Sequence, residues 1–89
     1  MKQRYLEITY RKGKPVAAYL YLPRSTAARA TRTEEVAAGL LVDYTEAGEA
    51  IGIEITAPAS VPAEAINAVL VRLGASSASV EELSPLRAA

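Results

Sequence analysis

The sequence predicts an α+β domain: a small antiparallel β-sheet of about five strands, two hairpins plus an edge strand, covered by a C-terminal α-helix. Three observations carry this. Segments between Arg4 and Ile55 alternate apolar and polar residues with the period of two that half-buried strands require. Clusters containing Gly13, Pro15, Pro23, Gly39 and Gly48 punctuate them. From Ala63 to Leu73 the period changes, and Ile66, Val69, Leu70 and Leu73 fall at helical spacing. At 89 residues the chain makes one domain, with the sheet over about 4–56, the helix over about 61–73 and a tail over 75–89.

Each element follows from its residues. Arg4–Tyr10 sets Leu6, Ile8 and Tyr10 against Tyr5, Glu7 and Thr9 and reads as a first strand. A basic turn over Arg11–Pro15 leads into a second strand, Val16–Leu22, where Ala18, Leu20 and Leu22 oppose Ala17, Tyr19 and Tyr21. Pro23 ends that pairing by removing a donor. Arg24–Ala30 is read as loop, and Thr31–Val36, polar and β-branched, as an edge strand guarded by charge.

The central element is the hairpin Leu40–Ile55. A four-residue loop, Thr45–Gly48, sets Val42 opposite Ile51 and Leu40 opposite Ile53, with Gly48 at positive φ. A three-residue loop places Val42 opposite Gly52 and strands the core face, so the longer loop is expected. Gly52 itself reads either as a bulge or as room for a close approach. For the helix, Ser60 or Val61 stands at the cap, Pro62 in the first turn, and Gly74 at the left-handed end. Burying its four large apolar residues contributes about 1.5 to 3 kcal/mol each, so the helix must dock. Ser79 and Glu82 have capping-box spacing, and a turn over Val80–Leu83 brings Leu83 and Leu86 to the same core, with Arg87–Ala89 fraying.

Composition excludes much chemistry. Cysteine and histidine are both absent, which removes thiolate catalysis, disulfides, the usual neutral-pH base and the commonest transition-metal ligands. No apolar run reaches the roughly 18 residues of a membrane span and no signal-like segment follows Met1, so a soluble cytoplasmic protein is expected. Net charge is zero but segregated. Residues 1–32 hold eight of the ten Lys/Arg and one of the ten acids, or +7, which leaves −7 on residues 33–89. Such asymmetry suits a nucleic-acid surface, head-to-tail self-association, or strands that satisfy each other across a sheet.

Three sets of candidate residues remain. Asp43 and Glu54 share the second face of the central hairpin, where two carboxylates can serve as acid and base or hold a hard cation. Arg4, Arg11, Lys12 and Lys14 beside the strand tyrosines offer a basic patch that stacks bases and binds phosphate. Tyr5, Tyr19, Tyr21, Leu41 and Gly52 form an interface candidate on the same second face. No phosphate loop, nucleophile elbow or metal-ligand spacing occurs, so no catalytic residue, metal or cofactor is assigned.

The strings Ile8-Thr9-Tyr10, Ala18-Tyr19-Leu20-Tyr21-Leu22, Thr31-Arg32-Thr33-Glu34-Glu35-Val36 and Leu41-Val42-Asp43-Tyr44, with Gly48 and Gly52-Ile53-Glu54-Ile55, resemble a known family. It is the small bacterial family catalogued as domain of unknown function 2283, and the likeness runs over about residues 4–57. The turn Arg11-Lys12-Gly13-Lys14 departs from the acidic segment common there. The resemblance implies the fold and, from the small toxin-type neighbours of such genes, an antitoxin-like or partner-binding role.

The function expected is therefore a non-enzymatic protein–protein interaction module. The alternatives are a nucleic-acid-binding module on the basic hairpin and an enzyme built on Asp43 and Glu54, and tight binding to duplex DNA is not expected because the acidic half offsets the basic one. A homodimer is expected through the second face, too apolar in Leu41 and the tyrosines for open water, with a heterologous protein as a further partner. In the competing account the segment Ala75–Leu86 folds over that face and leaves a monomer.

Overall fold

The computed structural model describes residues 3–23 and 29–87. The alternating segments form five antiparallel strands, β1 (Tyr5–Arg11), β2 (Lys14–Tyr21), β3 (Arg32–Ala37), β4 (Leu40–Tyr44) and β5 (Ala50–Ile55). They lie in the order β1-β2-β5-β4-β3, so the β4–β5 hairpin sits inside the sheet and β3 is an edge, as its charge suggests. Most of the connection read as loop over 24–30 lies outside the described residues, as do Met1, Lys2, Ala88 and Ala89.

The central hairpin corrects the expected register. The Thr45 N–H donates to the Glu49 carbonyl and the Gly48 N–H to the Thr45 carbonyl, both at 2.9 Å, so the loop is the three residues Glu46, Ala47 and Gly48. Gly48 does take positive φ, +89°. Tyr44 then pairs with Ala50 and Asp43 with Gly52, which leaves Ile51 as an inserted residue, a β-bulge. That insertion removes the objection to the shorter loop. Past it Val42 faces Ile53 and Leu40 faces Ile55, instead of Ile51 and Ile53, and the large apolar residues still share one face.

The first hairpin turns through Lys12 and Gly13, both at positive φ (53° and 77°), the type I′ geometry that matches strand twist. A bulge on β2 at Val16 separates the pair Thr9–Ala17 from Tyr10–Pro15. Beyond it the hairpin runs clear of the core, so Tyr10, expected beside Leu6 and Ile8, is 51% exposed.

A 3-10 turn, Pro58–Ser60, leads into α1 (Ala63–Arg72). Its cap is Pro62, with no side-chain bond, in place of Ser60 or Val61. Gly74, φ +81°, closes the helix: its N–H donates to the Val71 carbonyl and that of Ala75 to Leu70, a Schellman motif. A second short helix, α2 (Val80–Leu83), is capped by the Ser79 hydroxyl, which accepts from the Glu82 N–H at 3.0 Å.

One hydrophobic cluster joins Ala18, Leu20, Leu22, Leu40, Val42, Ile53 and Ile55 of the sheet region to Val61, Ile66, Val69 and Leu70, and to Ala78, Leu83 and Leu86 of the tail. The tail therefore packs on the same side of the sheet as α1, and the alternative in which Ala75–Leu86 spans the second face is not the one adopted. No helix among the described residues is long and apolar enough to cross a membrane.

Candidate functional site

Strand alternation sends a second set of side chains to the face away from the cluster. Pairing aligns them in two rows across all five strands: Tyr5, Tyr21, Gly52, Asp43 and Thr33 in one, and Glu7, Tyr19, Glu54, Leu41 and Glu35 in the other. All five interface candidates lie in these rows. At the bulge two residues, Ile51 and Gly52, stand between the core-facing Ala50 and Ile53 where a regular strand has one, and Ile51 is itself buried.

Gly52 is where the rows interlock. A Cβ at this position would overlap the Tyr19 ring, so the bare glycine lets the tyrosine lie diagonally across β5. From there the Tyr19 hydroxyl donates to Asp43 Oδ2 at 2.6 Å, while the Thr33 hydroxyl donates to Oδ1. Gly52 thus serves as the close approach, and the bulge falls on its neighbour Ile51 instead. On the other flank Tyr21 stacks on Tyr5 with centroids 4.6 Å apart and planes 18° from parallel, and meets Tyr19 edge-on at 4.6 Å. The Tyr21 hydroxyl donates to Glu7 Oε1 at 3.0 Å. The three rings form one strip, tied down at Glu7 and Asp43.

Asp43 and Glu54 do share this face, and their surroundings differ. Both Asp43 oxygens accept from hydroxyls, and Glu54 stands exposed between Tyr19 and Leu41. A cleft lined by Leu22, Tyr44, Arg72 and Leu73 holds neither carboxylate. Among the described residues no group of three Asp or Glu is placed to hold a metal.

The basic candidates separate. Arg4 is withdrawn from solvent, its side chain 13% exposed, and clamps the tail: Nε bonds Glu82 at 2.7 Å and the other nitrogens donate to the Ser76 and Ser77 carbonyls at 2.6 and 3.0 Å. Arg11, Lys12 and Lys14 are exposed at the tip of the first hairpin. The four therefore form no single patch.

The second face is one-sided in charge across these two rows, with Arg11 and Lys14 lying beyond them at the hairpin tip. Its two rows hold Glu7, Glu35, Asp43 and Glu54 and no lysine or arginine. The described ion pairs lie elsewhere: Arg4 with Glu82, and Arg32 with Glu34 at 3.0 Å beside the Tyr44 ring on the other face. Thr33 was not legible as part of this site, and the link between Tyr19 and Asp43 needed the strand order that puts Gly52 between them.

No curated protein and no solved structure matches the chain. The family likeness is narrower than residues 4–57 and leaves out β1 and the departing turn at 11–14. Residues 17–57, from β2 through β5, match the family described as protein of unknown function (DUF2283), the one that the tyrosine and Gly-Ile-Glu-Ile strings resemble.

Proposed function

We propose that this protein is a non-enzymatic interaction module whose tyrosine face docks a lysine- and arginine-bearing segment of a partner protein, with α1 and the tail closing the opposite face. The observation that carries the reading is the pairing of a continuous tyrosine strip with four carboxylates in rows free of Lys and Arg. An arginine suits both parts, since its guanidinium stacks on an aromatic ring and forks onto a carboxylate. Pairing this face with its own copy would oppose like charges, so the face takes a heterologous partner better than a second copy. An antitoxin-like role is one instance of such capture.

Amide shifts of the full chain during titration with an arginine-rich decapeptide test this, with a glutamate-rich decapeptide as control. Shifts at Tyr19, Tyr21, Leu41 and Gly52 with the basic peptide alone, lost in Asp43→Asn/Glu54→Gln, are expected. Equal response to both peptides, or none, overturns the reading.

A further inference from the structure

The two edges of the sheet differ in how they meet solvent. At β3 the edge carries Arg32, Glu34 and Glu35 and is broken by a bulge at Val36, the charge and irregularity that block pairing with another chain. The edge at β1 has seven residues and runs regularly, because the bulge of its hairpin falls on β2. Leu6 and Ile8 are only half-buried there, and Tyr10 is 51% exposed.

The direction of the free backbone groups follows from the turn. A two-residue type I′ turn makes Arg11 and Lys14 a hydrogen-bonded pair, and alternation along β1 then directs the N–H and C=O groups of Leu6, Ile8 and Tyr10 outward. Pro15, which has no N–H to give, falls opposite Tyr10 at a non-bonded position, consistent with this phase.

We propose that β1 pairs with β1 of a second copy of this chain, antiparallel, with Thr9 facing the partner's Thr9 on the twofold axis. This register sets Ile8 against the partner's Tyr10 and Glu7 against the partner's Arg11, each twice by symmetry. Threonine pairs, aromatic with β-branched pairs and opposite charges are the cross-strand neighbours that stabilise antiparallel strands. Moving the axis to Glu7 sets Glu7 against the partner's Glu7, and moving it to Ile8 leaves Glu7 opposite the partner's Thr9. The dimer joins two five-stranded sheets edge to edge and leaves both tyrosine faces open, so it stands or falls apart from the docking function.

Sedimentation equilibrium of the full chain across the micromolar range tests the proposal, using Glu7→Arg, Arg11→Glu and their equimolar mixture. Both side chains are exposed, and Arg11→Glu leaves the Tyr21–Glu7 bond in place. A concentration-dependent dimer is expected for the parent chain. Each variant alone sets like charges opposite each other twice and weakens it, roughly tenfold or more. The mixture restores dimers, because every charge then meets its opposite. A parent chain that stays monomeric, single variants that dimerise as the parent does, or a mixture no better than its components each overturns the proposal.

Discussion

The two faces of this sheet are made from the same strands by the same alternation, yet they are held together by different forces. On one face Leu20, Leu40, Val42, Ile53 and Ile55 are withdrawn from solvent against Ile66 and Leu70, so dispersion and water exclusion set its stability. On the other, three tyrosines, three hydroxyl-to-carboxylate links and a glycine fix an ordered surface that water still reaches. The difference teaches where sequence changes register: in the stability of the whole domain on the packed face, and in the shape and charge of a surface on the open one.

The hardest break falls on the packed face. Ile66→Asp sets a carboxylate among apolar side chains with no partner and is expected to cost more than about 4 kcal/mol in urea denaturation. An unchanged midpoint would show that the cluster does not hold the domain together.

On the open face Gly52→Val is expected to cost about 1 to 3 kcal/mol, because the Tyr19 ring must leave its place over β5. Tyr19→Ala in the same chain should recover part of that loss, and strict additivity of the two changes would rule out the overlap.

Gly48→Val tests the loop that joins β4 to β5. Nothing crowds that position, so its cost, about 1 to 3 kcal/mol, is the strain of positive φ alone, against a change within about 0.5 kcal/mol for Glu46→Ala. Equal midpoints would reject the positive φ at Gly48.

Tyr19→Phe removes only the hydroxyl bonded to Asp43 and should cost about 1 kcal/mol. Glu54→Gln, on an exposed residue with no described hydrogen bond, should lie within about 0.5 kcal/mol while removing one charge from the docking surface. A larger effect of the glutamine than of the phenylalanine would invert the order of the contacts on this face.

The sequence by itself determined the five strands, the helix, the positive φ at Gly48 and Gly74, the edge character of β3 and the placing of Tyr5, Tyr19, Tyr21, Leu41 and Gly52 on one face, but it set Ala50 there too, which the structure turns to the core. These follow from local rules: side-chain period, the freedom of glycine, and the charge that an unpaired strand needs. Only the tertiary structure decided the β4–β5 register, because the choice between a four-residue loop and a three-residue loop with Ile51 bulged depends on which pairing lets Val42 and Leu40 meet the core. It alone sent Arg4 to Glu82, a partner 78 residues away, and so removed it from a basic patch. It also placed Tyr19 over Gly52 and onto Asp43, since that contact crosses three strands whose order no local pattern records. Spacing along the chain reports which way a side chain faces, and the packing of distant segments decides what it touches.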